Sequence, residues 1–269
     1  MSVGNPFRIF QTVLQHRALL RQMVIRDLSA RFVGTSLGAV WSLLQPLILL
    51  GLYTFVFGVI YRVRFQVAEG VGFVPFLLCG MWPWMAFQEA CQRSVTVIVD
   101  NANLMKRVQF PSELLVIAAI VSTFLSHGVG FCLMLLGVAI WQGGIAPLSL
   151  GLLLIPFGLQ LLLAMSLGLL LSPANVFLRD VSQLTGALFT VWFFLSPILY
   201  SVQMVPESLQ PILVCNPFTP ILHLYRALIL APESVAWSWV LYPLGLSLVL
   251  LGLGQRVFSS CKGYFADYL

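Results

Sequence analysis

The chain has 269 residues, of which 59% are hydrophobic and 9% are charged, and its net charge is +5. Water-soluble globular proteins carry about 25% charged residues, so a chain this apolar has too little polar surface to cover itself in water. Its apolar residues also come in blocks long enough for transmembrane helices, each of which needs roughly 20 residues. Composition therefore predicts an integral membrane protein and excludes the water-soluble classes.

The first predicted element, within residues 1–33, is a cytoplasmic amphipathic helix that lies on the membrane surface. Its apolar stripe repeats every four residues and comprises Leu20, Val24, Leu28 and Phe32. Its arginines, which suit anionic lipid, are Arg17, Arg21, Arg26 and Arg31. A plain anchor that only fixes topology is the alternative. Gly34 and Gly38 then predict a bend into the first membrane span.

Six transmembrane helices are predicted in the second region, residues 34–269. They cover residues of about 36–60, 73–98, 113–140, 147–172, 182–203 and 236–256. Residues 206–231 are also apolar, but prolines interrupt them, which predicts a re-entrant helical hairpin before the last span. An ordinary seventh span is the alternative. The predicted fold class is therefore an all-α integral membrane protein.

The distribution of basic residues predicts the orientation. With the N-terminus inside, the cytoplasmic segments hold 11 of the 14 Lys and Arg residues, which follows the positive-inside rule. Both termini are then cytoplasmic, and the loop at residues 62–71 is external. The positive charge thus indicates anionic lipid rather than nucleic acid as a partner.

Polar residues within the predicted spans are few. Glu89 and Arg93 stand four residues apart, with the acid first, and predict a structural ion pair on one helix. His127 is the single histidine well inside a span, and the sequence shows no carboxylate or histidine partner for it. We therefore predict a structural histidine, and a proton-coupled or ion-coupled carrier is poorly supported.

Motifs for chemistry on this chain are absent. The sequence has no GxSxG, no HExxH and no acidic cluster for a divalent metal, so we predict no catalytic residue, no metal site and no bound cofactor. It also has no GxxxxGK[ST] phosphate loop, so any nucleotide hydrolysis that powers it must come from another chain. The five cysteines are scattered and predict neither disulfides nor a zinc site.

Six segments, in order, resemble the permease subunits of ABC transporters that export bacterial cell-surface polysaccharides such as O-antigen, teichoic acid and capsule. The pattern is closer to the O-antigen and teichoic-acid branch than to the group 2 capsule branch. The segments are "RDLSARFVGTSLGAVWSLLQPLILLGLYTFVF", "GMWPWMAFQEA", "NANLMKRVQFPSELL", "NVFLRDVSQL", "LSPILYSVQMVP" and "NPFTPILHLYRALI".

This resemblance implies a homodimer in the bacterial inner membrane, with two ATPase subunits that bind ATP and Mg on the cytoplasmic side. It implies a conduit for a lipid-linked glycan, whose pyrophosphate would meet the arginines of the interfacial helix. The resemblance also implies an ATPase-coupling loop comprising Asn103, Leu104, Met105, Lys106 and Arg107. We assign an outer gate to Asn216, Pro217, Tyr225 and Arg226.

Two features of the sequence add to these assignments. Leu104 and Met105 form an apolar knob beside the basic pair Lys106 and Arg107, although that pair also suits positive-inside topology alone. Aromatic rings can pack against the C–H faces of sugars, and they can equally anchor a helix at the membrane interface. The candidate conduit aromatics are Tyr53, Phe57, Trp82, Trp84, Phe87, Phe189, Trp192, Phe193 and Tyr200.

Two other classes of function remain as alternatives to an export permease. A membrane-embedded transferase acting on a lipid-linked sugar would need acidic or histidine residues at one membrane face. An ion-coupled carrier would need paired charges inside the membrane and related halves. The sequence shows neither a clear internal repeat nor such a cluster.

Overall fold

The structure is a computed structural model that describes residues 8–31, 40–61 and 72–269. Regular structure in these ranges is helical throughout. The helices of the first part are α1 (Arg8–Gln15), α2 (Arg17–Ala30), α3 (Trp41–Tyr53, continued by a π-helix Thr54–Ile60), α4 (Phe73–Asp100), α5 (Ala102–Arg107) and α6 (Glu113–Gln142). The second part contains α7 (Pro147–Leu152), α8 (Leu154–Phe177), α9 (Asp180–Phe194), α10 (Gln210–Val214), α11 (Phe218–Leu230), α12 (Leu241–Cys261) and α13 (Phe265–Tyr268).

Four helical stretches in the described residues are long and apolar enough to cross a membrane. They are Leu43–Ile60, Glu113–Gln142, Pro147–Phe177 and Trp237–Tyr264. These stretches match the first, third, fourth and sixth predicted spans and support an integral membrane protein. The helices α4 and α9 lie where the second and fifth spans are predicted, but neither meets the same criterion, so the count of six stays a prediction.

The fifth predicted span is shorter than its pattern suggests. The helix α9 ends at Phe194 rather than near residue 203. The chain then turns into Pro197, and a proline disfavours helical backbone at the residue before it. At about 1.5 Å per residue, 15 residues extend roughly 22 Å, which is less than the hydrocarbon core of about 30 Å.

The centre of the fold is α4, which packs against α6, α8, α9 and α11. Residues buried on this helix include Leu77, Trp84, Phe87 and Ile98. Because its apolar side faces other helices, its remaining side can carry polar residues, and this lowers its mean hydropathy. The helix is thus recognisable from its position in the bundle rather than from its apolarity.

Small residues let α8 and α12 approach closely. A Cβ atom at Gly254 would lie 3.0 Å from the Ser166 carbonyl oxygen. The Ser166 hydroxyl in turn donates to the carbonyl oxygen of Ser247 on α12, at 2.8 Å. Helix contacts inside membranes commonly rely on such small residues because close backbones gain van der Waals contact. This pair forms the most extensive helix contact of the described fold.

Two short helices, α10 and α11, occupy the region predicted as a re-entrant hairpin. Asn216 and Pro217 separate them, and α11 has 13 residues, too few for a full crossing of about 20. The break in the helix is thus as predicted. That the two helices enter the membrane and return stays a prediction.

The bundle has a basic end and an opposite end. The basic end holds α2, α5 and α13, since Arg26 of α2 bonds Asn101 beside α5, and α5 contacts α13. The opposite end holds Pro197 and α10. Phe32 of the apolar stripe, the predicted bend at Gly34 and Gly38, and the predicted external loop at residues 62–71 lie outside the described residues.

Candidate functional site

A cavity of about 570 Å³ runs along one face of α4. This face contributes Met81, Trp84, Met85, Gln88 and Gln92, whose spacing of three and four residues places them in one row of the helix. The row extends for about 16 Å at 1.5 Å per residue. Glu89 of α4 also lines the cavity. The remaining lining residues come from α3, α6, α9 and the end of α2, and are Arg31, Trp41, Gln45, Pro46, Leu49, Tyr53, Ser126, His127, Thr190, Phe193 and Phe194.

Aromatic faces and uncharged amides dominate the cavity wall. Tyr53 stacks on Phe193 with ring centroids 5.9 Å apart, so α3 and α9 meet through aromatic rings. The Trp84 indole N–H donates to Gln88 Oε1 at 2.8 Å, which orients that amide. The wall thus offers rings for C–H faces and amides for hydroxyl groups. That combination suits an uncharged, polyhydroxylated ligand.

Three buried polar atoms of the cavity residues have no hydrogen-bond partner within residues 8–31, 40–61 and 72–269. They are Arg31 Nη1, Ser126 Oγ and His127 Nδ1. An unpaired buried polar group costs about 1 to 3 kcal/mol, so proteins rarely leave several together. A polar occupant of the cavity would satisfy them. The basic end of the cavity therefore has the character of a binding site.

Two ion pairs, termed the polar ladder (Asp27–Arg93 and Arg31–Glu89), tie α2 to the bundle. In the first rung, Arg93 Nη2 donates to both carboxylate oxygens of Asp27, at 2.8 and 2.9 Å. Arg93 Nη1 also donates to the Thr123 hydroxyl at 3.1 Å, and the Ser122 hydroxyl donates to Asp27. This rung thus joins α2, α4 and α6.

The second rung lies one helical turn away and borders the cavity. Arg31 pairs with one oxygen of Glu89, and His127 Nε2 lies 2.7 Å from the other oxygen. The prediction that Glu89 pairs with Arg93 is therefore wrong, because each residue instead faces an oppositely charged residue on α2. The expectation that His127 lacks a carboxylate partner is also wrong, since tertiary packing brings Glu89 to it.

The partial burial of Arg31 affects its titration. Burial lowers its pKa to about 10, and the positive charge of Arg93 lowers the pKa in the same direction. The carboxylate of Asp27 acts against both effects. Arg31 still remains protonated at neutral pH, because 10 lies well above 7. The second rung is thus a charged pair at the mouth of an otherwise uncharged cavity.

The four arginines of the predicted interfacial helix have different environments. Arg17 and Arg21 are exposed and free to meet lipid, whereas Arg26 donates to Asn101 at 3.0 Å and Arg31 belongs to the polar ladder. Of the apolar stripe, Leu20, Val24 and Leu28 pack against the chain itself, with Val24 buried where α2 meets α6. The helix α2 is therefore docked on the bundle through both its apolar face and its charges.

The predicted aromatics divide into lining residues and core residues. Tyr53, Trp84 and Phe193 line the cavity. Phe87, Phe189 and Trp192 pack behind it, where Phe87 also stacks on Phe218 at 4.8 Å. The remaining members lie elsewhere: Trp82 packs on Gly130 of α6, Phe57 contacts Phe73, and the Tyr200 hydroxyl donates to the Phe194 carbonyl oxygen.

Sequence reasoning missed the glutamines of the cavity. Gln45, Gln88 and Gln92 interrupt apolar segments, and the last two stand four residues apart on α4. Amides are costly in hydrocarbon without partners, so their position in a span is a signal that was available in the sequence. It indicates a polar interior face rather than a lipid face.

The predicted coupling loop folds as the short helix α5. Its Leu104 and Met105 are half-buried against the core, so they do not form a free apolar knob. Asn103, Lys106 and Arg107 are exposed on this helix, and Val108, directly after it, is 50% exposed. An incoming protein would meet that polar and basic surface first.

The predicted outer-gate residues are mostly core residues. Arg226 is 7% exposed and donates to three carbonyl oxygens, those of Phe76, Pro197 and Ile198. The Tyr225 hydroxyl is buried and donates to Gln160 on α8 at 3.0 Å. These bonds fix α11 to α4, α8 and the turn at Pro197.

Asn216 joins the start of α11 to the end of α9. Its Oδ1 accepts from the Trp192 indole and from the Phe218 backbone N–H, at 2.8 and 2.9 Å. Its Nδ2 donates to the Leu195 carbonyl oxygen and the Ser196 hydroxyl, at 3.2 and 2.8 Å. Pro217 follows at the half-exposed break in the helix. The region is thus a firmly bonded joint between helices.

Comparison with known proteins identifies the family of this chain. Residues 18–230 match the ABC-2 type transporter family. The chain is 27% identical to an O-antigen export system permease protein of Myxococcus xanthus, over 97% of this chain and 98% of the relative. It is 27% identical to one of Klebsiella pneumoniae, over 93% and 95%. It is 24% identical to a polysialic acid transport protein of Escherichia coli, over 78% and 80%. Because the family match covers most of its length, this chain belongs to the ABC-2 type transporter family.

Proposed function

We propose that this chain is the permease subunit of an ATP-driven exporter that moves a lipid-linked, O-antigen-like polysaccharide out across the bacterial inner membrane. The observation that carries the proposal is the cavity along α4, with its aromatic rings, amides and unpaired polar atoms. Such a wall can bind a sugar through rings and amides rather than through a net charge, and it can release the sugar again. The export functions named for the relatives point the same way.

The second rung of the polar ladder suggests how an anionic lipid carrier enters. Arg31 Nη1 is buried and has no partner in the part of the chain that the structure describes, while Arg31 Nη2 is paired with Glu89. An incoming phosphate can satisfy that donor and compete with Glu89 for the guanidinium. Glu89 keeps His127 as a partner when Arg31 is taken. The rung thus provides an anion site at the mouth of the cavity.

Energy in this proposal comes from two ATPase subunits, which hold ATP and Mg on their own residues. They dock on the exposed surface of α5, formed by Asn103, Lys106, Arg107 and the adjoining Val108. Because Leu104 and Met105 pack on the core, they pass the motion of α5 to the bundle rather than contact the ATPase. A second copy of the permease completes the cavity wall, and both termini lie in the cytoplasm.

An ion-coupled carrier would use Glu89 and His127 as a proton relay. Apart from Arg31, the other described residues of the cavity wall are aromatic, apolar, amide or hydroxyl side chains, with no further carboxylate or histidine toward the opposite end. A relay across the membrane needs a chain of such groups. Glu89 and His127 are better explained as partners of Arg31.

Deletion and complementation in the source bacterium test the proposal. Without the permease, surface glycan should disappear and lipid-linked glycan should accumulate on the cytoplasmic side, because synthesis continues without export. The wild-type chain should restore export, whereas Gln88→Leu with Gln92→Leu should restore it poorly at normal membrane abundance. Gln183→Leu is the matched control, since that exposed residue on α9 does not line the cavity. Unchanged surface glycan in the deletion strain would refute the proposal.

A further inference from the structure

A second cavity, termed the opposite-end pocket, has a volume of about 380 Å³ and is lined by Phe76, residues 201–203, one side of α11, Ala231, Ser234, Ala236 and Trp239. It has no lining residue in common with the cavity along α4. Its volume falls in the range of small-molecule sites, about 300 to 1,000 Å³. The pocket is therefore a separate place where part of a ligand can be held.

The pocket combines an aromatic wall with hydrogen-bonding groups. The rings of His223 and Trp239 lie side by side, with centroids 4.7 Å apart. Gln203 is exposed at the mouth, and the hydroxyl groups of Ser201 and Ser234 lie on the wall. A sugar ring needs both components, because it presents C–H groups on its faces and hydroxyl groups around its edge.

One buried nitrogen in the pocket lacks a partner among the described residues. His223 Nε2 accepts and donates no hydrogen bond there, although its ring packs against Trp239 at a tilt of 41°. Such a group normally costs about 1 to 3 kcal/mol unless a ligand or water satisfies it. A ligand hydroxyl group can act as either donor or acceptor and so fits either tautomer of the imidazole.

The pocket also lies beside a fixed positive charge. The Arg226 guanidinium lines it and is held by backbone carbonyl oxygens and the Phe76 ring, whose centroid is 3.5 Å from Cζ. Among the described residues, no carboxylate pairs with Arg226. A ligand with hydroxyl groups or other electron-rich oxygens therefore suits this wall better than a cation does.

We propose that the opposite-end pocket binds one sugar ring of the glycan as it leaves, with Trp239 as the stacking face and His223 and Gln203 as hydrogen-bonding groups. This inference rests on the proposed function, because the ligand is the exported glycan. The chemical class is a hexose-sized ring, neutral or acidic. Binding there would hold the glycan after it has passed the cavity along α4 and oppose its return.

The test uses the whole permease in nanodiscs and oligosaccharides released by mild acid from the surface glycan of the source bacterium. Saturation-transfer NMR measures contact between the sugar protons and the protein. We expect transfer to the wild type, and about tenfold weaker binding for Trp239→Ala and for Gln203→Ala. Trp237→Ala is the matched control, because Trp237 is exposed, shares the 3₁₀-helix Trp237–Val240 with Trp239, and does not line the opposite-end pocket.

Export in cells provides the second readout, with membrane abundance measured alongside. Slower export by Trp239→Ala and Gln203→Ala, at normal abundance and with an unaffected Trp237→Ala, supports the site. If deletion of the permease abolishes surface glycan but both pocket variants bind and export like the wild type, the pocket proposal fails while the proposed function stands. If deletion leaves surface glycan unchanged, the proposed function fails. Since the glycan would then not be this chain's cargo, the pocket proposal falls with it.

Discussion

The two ends of the molecule hold their buried charges in different ways. At the opposite end, Arg226 is bonded to backbone carbonyl oxygens, which are fixed parts of α4 and of the turn at Pro197. At the basic end, Arg31 and Arg93 are bonded to carboxylates of other side chains. Backbone partners cannot rotate away, whereas side-chain partners can be exchanged. The opposite end is thus built as a fixed joint, and the basic end as a set of pairs that a ligand can open.

The largest expected effect comes from breaking the fixed joint. Arg226→Met should lower the free energy of unfolding by about 3 to 5 kcal/mol, because the carbonyl oxygens that Arg226 bonds lose their donor in a buried site. Denaturant titration of the detergent-solubilised protein measures this change. Arg256→Met, at an exposed arginine on α12, is the control and should have little effect. Equal stability of both variants would show that Arg226 is not a joint.

A second substitution at the same end tests the other half of the joint. Asn216→Ala removes three hydrogen bonds to α9 and the residues directly after it and one to the start of α11, so we expect a loss of about 2 to 4 kcal/mol of unfolding free energy. Trp192 fluorescence should also change, because its indole N–H loses its acceptor. Asn103→Ala on the exposed side of α5 serves as the comparison. A wild-type stability for Asn216→Ala would contradict the assignment.

The polar ladder should contribute less to stability than the joint. A double-mutant cycle with Asp27→Asn and Arg93→Gln should give a coupling energy of about 1 kcal/mol, since both side chains are partly exposed and solvent screens the pair. Raising the salt concentration should reduce that coupling. A coupling energy as large as the loss of unfolding free energy in Arg226→Met would mean that the basic end is fixed as well.

The smallest expected effect on stability concerns the exposed arginines of α2. Arg17→Gln with Arg21→Gln should leave the free energy of unfolding unchanged within about 0.5 kcal/mol, because neither residue is buried. Association of a synthetic peptide of residues 17–31 with vesicles containing anionic lipid should fall by about fivefold per arginine. Arg31→Gln in the same peptide provides a comparison with an arginine that contacts Glu89, rather than lipid, in the intact chain. Unchanged binding to vesicles would remove these two arginines from the lipid-contacting set.

The predicted site residues show where sequence reasoning reaches its limit. Trp84 and Phe193, predicted as conduit aromatics, line the cavity together with Arg31 of the predicted interfacial helix. Arg226 and Asn216, assigned to an outer gate, are held by hydrogen bonds at the opposite end, and their role as a gate stays a prediction. An arginine in an apolar helix has the same appearance in the sequence in both roles. What distinguishes them is the group that the side chain meets, and this depends on helices far apart in the chain.

By itself, the sequence determined that the protein is helical and embedded in a membrane. It also determined the positions of four of the spans and the break in the chain at Asn216 and Pro217. These features depend on composition, length and proline, which act locally. Only the tertiary structure decided that Glu89 meets Arg31 and His127 rather than Arg93. The reason is physical, because an ion pair between neighbouring turns of one exposed helix contributes little stability in water. Partly buried charges instead pair with whichever opposite charge the packing of α2, α4 and α6 brings nearest.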